Sequence, residues 1–170
     1  WSSTPSLNTA RDQVAGAGTT TSGLVFGENF GGETEFYNGS SWSEQNDLNT
    51  SRRALAGAGA LGTAALAFAG NLAAPSPNAA SNATETWNGT NWTNVNNLNQ
   101  ARSFASGTGT NTAALCMGGA TGSGGNPPLS ADTEKWNGSN WTEVTDFNNA
   151  RNDGAAGGTS TSALFFGGTP

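Results

Sequence analysis

Histidine and isoleucine are absent from this chain of 170 residues, and only 11% of its side chains are charged. Without histidine the chain has no imidazole base, no Ser/His or Cys/His pair and no histidine ligand for a metal ion. These absences exclude most familiar designs of hydrolases and metalloenzymes. We therefore expect a protein with no catalytic residue, no metal and no cofactor.

Basic residues are also scarce, because six Lys and Arg face twelve Asp and Glu and leave a formal net charge of −6. Such a chain has no cationic track for phosphate groups, so nucleic acid is not an expected partner. No apolar run approaches the ~20 residues that a membrane span requires, and membrane insertion is not expected. The single cysteine, Cys116, cannot form an internal disulfide and is predicted to pack as a small hydrophobic residue.

Large apolar residues are few, since Leu, Val and Phe together number 23, whereas Gly, Ala, Ser, Thr and Asn number 111. A low content of large apolar residues is typical of disordered chains, but disordered chains usually also have a high net charge, which this chain lacks. Composition alone therefore does not decide whether the chain folds, and the decision rests on the pattern of residues along it.

That pattern is a repeat in four copies, which begin at Trp1, Trp42, Trp92 and Trp141, at spacings of 41, 50 and 49 residues. Ten residues after each tryptophan stands an arginine: Arg11, Arg52, Arg102 and Arg151. A Thr-Glu-x-aromatic unit follows in three copies and contains Glu35, Glu85 and Glu134. Periods of this length are typical of solenoid and propeller architectures.

Within each copy the residues predict four short antiparallel strands. Three Asn-Gly pairs are strong hairpin signals that join a third strand to a fourth: Asn38-Gly39, Asn88-Gly89 and Asn137-Gly138. Aromatic residues are expected to lie opposite or diagonal to each other across these hairpins: Tyr37 and Trp42, Trp87 and Trp92, Trp136 and Trp141. The first strand of each copy consists of small residues, which suit backbones crowded around a central axis. Dense Gly, Asn, Thr and Ser make helices unfavourable throughout.

This succession of Arg, small-residue strand, aliphatic strand ending in glycine, Glu-x-aromatic, turn and Trp resembles the kelch repeat. The resemblance implies an all-β fold, a kelch-like β-propeller of four repeats of four-stranded antiparallel blades with the last one incomplete. The chain departs from the kelch double glycine at Gly27-Glu28 and Ala69-Gly70. We interpret residues 1–170 as a single propeller domain or a propeller segment.

The repeated charges have a structural and a functional interpretation. One Arg and one Glu at fixed spacing in each repeat favour a structural ion pair over a ligand site, so Arg52, Arg102 and Arg151 are expected to lie largely buried against the backbone or a repeat Glu. The glutamates recur one per repeat, too regularly for the carboxylate pair of a glycosidase. We assign Trp42, Trp92 and Trp141 to the same class of structural repeat positions.

Connection lengths are the main irregularity between the copies. The link between the second and third strands is short in the first repeat, at residues 28–33, and long in the next two, at 71–83 and 120–132. In a propeller these links share one face with the links from each fourth strand to the next first strand. The latter contribute the candidate ligand-binding residues Asn46, Asp47, Asn96, Asn97, Thr145 and Asp146. Such a polar rim fits recognition of a protein or a glycan, and the alternative is that these loops are merely solvated.

The sequence thus indicates a non-enzymatic binding or structural module that recognises a protein or glycan surface. A carbohydrate-binding, lectin-type propeller is the alternative, and an enzyme of the galactose-oxidase or sialidase kind is disfavoured because the chain has no His and one tyrosine, Tyr37. The composition resembles repeat proteins of bacterial exteriors and phage particles, so we expect an extracellular, cell-surface or virion location. A homo-oligomer or a longer repeat array is also expected. In it residues 1–6 would join the fourth repeat, which otherwise stops after its second strand.

Overall fold

A computed structural model describes residues 4–29, 31–73, 79–122 and 127–170 of the chain, and the regular structure among them is entirely β. Its strands are β1 (Ala15–Thr19), β2 (Ser22–Glu28), β3 (Gly31–Tyr37), β4 (Trp42–Glu44), β5 (Arg52–Arg53), β6 (Ala56–Leu61), β7 (Ala64–Phe68), β8 (Asn71–Leu72), β9 (Thr84–Trp87), β10 (Trp92–Val95), β11 (Ser106–Thr110), β12 (Ala113–Met117), β13 (Thr133–Trp136), β14 (Trp141–Val144), β15 (Asn152–Thr159) and β16 (Ser162–Thr169). Among these residues there is no helix long and apolar enough to cross a membrane.

The long strands form one antiparallel sheet per repeat. Sheet 1 has the order β1-β2-β3-β4, sheet 2 the order β6-β7-β9-β10 and sheet 3 the order β11-β12-β13-β14, whereas sheet 4 contains β15 and β16. A short ladder joins β5 to β8. The predictions of an all-β fold and of four-stranded units in the first three repeats are confirmed. The kelch-like propeller remains a prediction.

The aromatic pairs face each other across the outer hairpins, as the sequence predicts. Tyr37 lies opposite Trp42, and the same register recurs in sheets 2 and 3, with ring centroids 5.1, 5.3 and 5.4 Å apart. The turns are longer than two residues. The Asn38 side chain accepts hydrogen bonds from the backbone N–H groups of Ser40 and Ser41, and only Gly39 has a positive φ, of 95°. Asparagine therefore stabilises the turn through its side chain.

The first strands of neighbouring sheets lie side by side, with β1 next to β6, β6 next to β11 and β11 next to β15. Glycine permits this close approach. A Cβ added to Gly107 would stand 2.5 Å from the Gly57 carbonyl oxygen, and a Cβ added to Gly57 would stand 2.7 Å from the Phe26 ring. The small-residue strands predicted from the sequence are therefore required where one sheet meets the next.

The hydrophobic core lies between the sheets and consists of two clusters. Strand β7 contributes to both, since its side chains alternate between its two faces. Ala65 and Ala67 belong to the cluster between sheets 1 and 2, and Leu66 and Phe68 to the cluster between sheets 2 and 3. The sheets are thus packed face to face in series.

Sheet 4 has one face covered and one face open. Leu164 and Phe166 occupy the positions of Leu66 and Phe68 in the repeat, yet they are 75% and 58% exposed, whereas the two residues of sheet 2 are fully buried. The neighbouring Phe165 points the other way and packs against Phe147, with ring centroids 4.5 Å apart. At this end of the series, no sheet formed by the described residues covers this apolar face.

Candidate functional site

A buried ion pair ties the third strand of each complete sheet to the segment that enters its first strand. In sheet 2, Arg52 Nη2 donates to Glu85 Oε1 at 3.0 Å, and both side chains are 1% exposed or less. The same carboxylate accepts hydrogen bonds from the backbone N–H groups of Asn49 at 2.7 Å and Thr50 at 3.3 Å. The other terminal nitrogen of Arg52 donates to two backbone carbonyls. The carboxylate is therefore held by three donors.

The arginine–glutamate pair recurs in the other complete sheets, although Nη1 of Arg11, unlike that of Arg52, has no hydrogen-bond partner among the described residues. Arg11 Nη2 lies 2.6 Å from Glu35 Oε1, and Arg102 Nη2 lies 2.6 Å from Glu134 Oε1, with all four side chains fully buried. The predicted pairing of Arg with a repeat Glu is confirmed in three repeats. These glutamates are therefore bound within the structure and are not gathered in one cleft.

Arg151 departs from the expectation of a largely buried arginine. It is partly exposed, and its Nη1 donates to the carbonyl of Gly167 at 2.8 Å. No acidic side chain of residues 4–29, 31–73, 79–122 and 127–170 pairs with it. The physical reason is that no strand lies outside β16 in this part of the chain to supply a glutamate.

Burial dominates the electrostatics of the pair in sheet 2. Desolvation lowers the pKa of Arg52, while the charge of Glu85 and the hydrogen bond to it raise that pKa. A guanidinium remains charged under these conditions, because its ordinary pKa lies far above neutral pH. Arg52 consequently contributes a permanent positive charge to the buried cluster.

Neighbouring sheets are joined by a second contact, which the sequence analysis did not find. Trp92 Nε1 donates to Thr34 Oγ1 at 3.0 Å, and the ring of Trp92 lies edge-on to Phe26, with centroids 4.9 Å apart. In the next interface the same hydrogen bond, also 3.0 Å long, runs from Trp141 Nε1 to Thr84 Oγ1. The sequence does contain a signal for this contact, because a threonine precedes every repeat glutamate.

The third threonine of the series has no such partner. Thr133 is 6% exposed, and its Oγ1 is buried without a hydrogen bond to any described residue. A buried hydroxyl without a partner carries a cost in free energy that Thr34 and Thr84 do not carry.

We expect opposite results from one substitution at two equivalent threonines. Thr84→Val leaves the indole N–H of Trp141 buried without an acceptor and should lower the free energy of unfolding by about 2 kcal/mol. Thr133→Val removes a hydroxyl that has no partner and should leave that free energy unchanged or raise it slightly. Urea titration of both variants measures the difference, and equal losses would contradict the assigned hydrogen bonds.

Two of the predicted ligand-binding residues join neighbouring sheets. The side-chain nitrogen of Asn46 donates to the Thr90 carbonyl and to Asn91 Oδ1, each at 2.9 Å. Asn96 makes the corresponding pair of bonds to sheet 3, at 3.0 and 2.9 Å. Both asparagines are exposed but have a structural role. Their common position four residues after Trp42 and Trp92 is a signal that could have indicated it.

The other four predicted residues divide into two kinds. Asn97 and Asp146 accept hydrogen bonds from the backbone N–H groups that precede the repeat glutamates, at 3.3 and 3.0 Å. Asp47 and Thr145 are exposed and make no hydrogen bond to the described residues. Side chains with free polar groups therefore remain at positions 47 and 145.

The structure brings the two predicted kinds of connection together at one edge of the sheets. The backbone of Leu98 donates to Asn82 at 2.9 Å, and the backbone of Phe147 donates to Ala131 at 3.1 Å. We call this edge the connection face, formed by the described parts of segments 45–51, 71–83, 96–101, 120–132 and 145–151. Residues 74–78 and 123–126 of the two long connections lie outside the described residues.

One acidic group lies on the connection face. Carboxylate oxygens of Asp132, Glu143 and Asp146 are within 4.8 Å of one another, and burial followed by the charges of the two aspartates raises the pKa of Glu143. Oxygen ligands of this kind suit Ca²⁺ or Mg²⁺, although one of the three already accepts a backbone hydrogen bond. The expected absence of a metal remains a prediction.

Cys116 packs in the core between sheets 2 and 3, as predicted. Burial raises the pKa of its thiol to about 11, so the reactive thiolate is scarce at neutral pH.

A scan of the chain against protein-family models finds no matching family, and a search of curated proteins finds no matching relative. The functional conclusion therefore rests on the site itself.

Proposed function

We propose that this chain is a kelch-like β-propeller module that binds a protein or glycan surface through its connection face and catalyses no reaction. One observation carries this proposal. Two long connections and the exposed residues Asp47 and Thr145 lie together at one edge of otherwise regular sheets. Loops placed on a rigid scaffold are the usual carriers of recognition. The repeat glutamates support the absence of catalysis, because each is bound by an arginine and two backbone amides.

The proposal includes a location and an assembly. Low charge and a composition rich in Thr, Asn and Gly support a module on a bacterial surface, in a secreted protein or in a virus particle. The exposed side chains of Leu164 and Phe166 support membership of a homo-oligomer or a longer repeat array, because single domains rarely leave such an apolar sheet face uncovered. The net charge of −6 argues against nucleic acid as the partner.

A carbohydrate-binding, lectin-type propeller is the alternative, and the amide-rich connection face favours it. Exposed Asn97 and the carboxylate of Asp146 supply the acceptors and donors that hydroxyl groups of a sugar require. Sugar-dependent thermal stabilisation would distinguish this alternative from recognition of a protein.

Matched substitutions at the two ends of the sheets test the proposed face. The full chain is screened on a glycan array and against immobilised surface proteins, and each binder is then titrated with Thr145→Lys and Thr20→Lys variants. Both threonines are exposed, but Thr20 lies in the turn between β1 and β2, at the opposite edge. We expect Thr145→Lys to weaken binding about tenfold or more and Thr20→Lys to leave it unchanged. The reverse ranking would contradict the assignment of the face.

A further inference from the structure

The outer edge of sheet 4 lacks a neighbour that the equivalent edges possess. Strand β7 pairs with β9 and strand β12 pairs with β13, whereas β16 pairs with no strand of the described residues other than β15. Backbone N–H and C=O groups along the free side of β16 are consequently open to another strand. Such an edge is a general docking site for extended chains, because backbone hydrogen bonds supply affinity and side-chain pockets supply selectivity.

One of these side-chain pockets is suited to a carboxylate. A groove of about 370 Å³ beside β16 is lined by Asn148, Asn149, Arg151 and Phe165, among others. In sheet 3 the equivalents of the first three hold Glu134, through two backbone N–H groups at 2.8 and 3.4 Å and a guanidinium at 2.6 Å. The groove in sheet 4 has these groups, and no carboxylate of the described residues occupies it.

A second pocket is suited to an indole ring. A groove of about 470 Å³ between sheets 3 and 4 is lined by Met117, Thr133 and Ala163, among others. Met117 occupies the repeat position of Phe26 and Phe68, which each pack edge-on against the tryptophan of the next sheet. Thr133 Oγ1, buried and without a partner, is the equivalent of the two hydroxyls that accept hydrogen bonds from those tryptophans.

The two pockets fit one ligand. The repeat glutamate precedes the tryptophan by seven residues in every complete sheet, in the pairs Glu35 and Trp42, Glu85 and Trp92, Glu134 and Trp141. In each pair the glutamate lies on the third strand and the tryptophan on the fourth. A single strand next to β16 would reach the carboxylate pocket alone.

We propose that the edge of sheet 4 binds a β-hairpin with a glutamate on its inner strand and a tryptophan seven residues later on its outer strand. The occupant is a hairpin of the same repeat type from outside the described residues, with its glutamate against Arg151 and its indole N–H donating to Thr133 Oγ1. Its glutamate lies opposite Phe165, as Glu134 lies opposite Cys116. The proposal deepens the assembly part of the proposed function and rests on it. It does not require the connection face to bind a protein or glycan, although Asn148, Asn149 and Arg151 belong to segment 145–151 of that face.

A labelled peptide with the sequence of residues 131–145, titrated into the full chain and followed by fluorescence anisotropy, tests this site. We expect saturable binding with one peptide per chain, weakened about tenfold or more when the peptide carries Glu134→Gln or Trp141→Phe. In the protein, Arg151→Gln should abolish the preference for Glu over Gln, and Thr133→Val should abolish the preference for Trp over Phe. Arg53→Gln, which removes the same charge from the ladder of β5 and β8, should preserve both preferences.

A second experiment tests the same site in case the free peptide is too unstructured to bind, by attaching the hairpin covalently to the chain. The same fifteen residues are joined to Pro170 through a flexible linker, which raises the effective concentration of the hairpin. We expect the melting temperature to rise by about 4 °C or more, and the rise to disappear with Glu134→Gln and Trp141→Phe in the added segment. The absence of a residue-dependent effect in both formats would overturn the proposal.

Two further outcomes would assign the groove to another occupant and also overturn the proposal. If the full chain binds the peptide only as a Trp1→Ala variant, the first tryptophan of the chain fills the indole pocket. If the chain forms a concentration-dependent oligomer that excludes the peptide, a second copy covers the edge. Sedimentation velocity at several protein concentrations, with and without peptide, identifies the oligomer, and binding at the connection face is measured separately with the glycans and surface proteins of the screen.

Discussion

Replacement of Arg102 by alanine is expected to lower the free energy of unfolding by about 3 kcal/mol. The substitution leaves Glu134 fully buried without the guanidinium that lies 2.6 Å from it, and it also removes hydrogen bonds to two backbone carbonyls. A buried charge that loses its partner is strongly destabilising, because the remaining hydrogen bonds do not replace solvation. Urea titration followed by circular dichroism measures the loss.

Arg151→Ala is the matched control. This residue stands at the same position of the repeat, but it is partly exposed, faces no carboxylate of the described residues and donates to one carbonyl. We expect a loss below about 1 kcal/mol. A double variant that replaces Arg102 and Glu134 with apolar residues of similar volume should recover part of the loss seen with Arg102→Ala. Equal losses for the two single variants would show that the carboxylate does not set the cost.

The second large effect is expected at the tryptophan between sheets 2 and 3. Trp141→Ala should lower the free energy of unfolding by about 4 kcal/mol, because it removes a side chain that is 6% exposed and leaves a cavity next to Phe68 and Trp136. It also removes the indole N–H that bonds to Thr84.

Trp42→Ala provides the comparison at the open end of the series. Trp42 packs against Tyr37 and donates to the Pro5 carbonyl, but it is partly exposed and no phenylalanine of the described residues lies edge-on to it. Its loss should therefore be less than half of that for Trp141→Ala. Circular dichroism is the appropriate probe, since both substitutions remove a fluorophore. If Trp42→Ala proved as damaging as Trp141→Ala, another element would have to cover Trp42 in solution.

The contacts within each sheet could be predicted from the sequence. An arginine and a glutamate that recur at fixed positions of the repeat predict an ion pair between them. Likewise, Asn137-Gly138 predicts a hairpin in which Trp136 lies opposite Trp141. These inferences need only strand order and the alternation of side chains. The conformation of the Asn-Gly turn is harder to predict from the sequence, because it depends on which backbone N–H groups of the four-residue link the asparagine side chain can reach.

Contacts between sheets could not be predicted in the same way. The hydrogen bond from Trp141 to Thr84 and the bridge from Asn46 to the turn of sheet 2 depend on how one sheet is rotated against the next. The spacing of residues within a repeat predicts which residues meet inside one sheet, but it does not determine how that sheet is rotated against the next. For this reason Asn46 and Asn96 resembled free rim residues, although their side chains join two sheets.

The glycines of the first strands also determine which substitutions the junctions between sheets can accept. Neighbouring sheets approach each other closely at Gly57 and Gly107. A methyl group at either position would collide with the preceding sheet, so the two sheets would have to move apart there. At Gly157, the corresponding position of β15, an added Cβ would have no atom of the described residues within 4 Å, apart from its chain neighbours. Glycine is therefore required at positions 57 and 107, where one sheet meets the next, whereas position 157 is a place where a bulkier residue can be introduced without disturbing that packing.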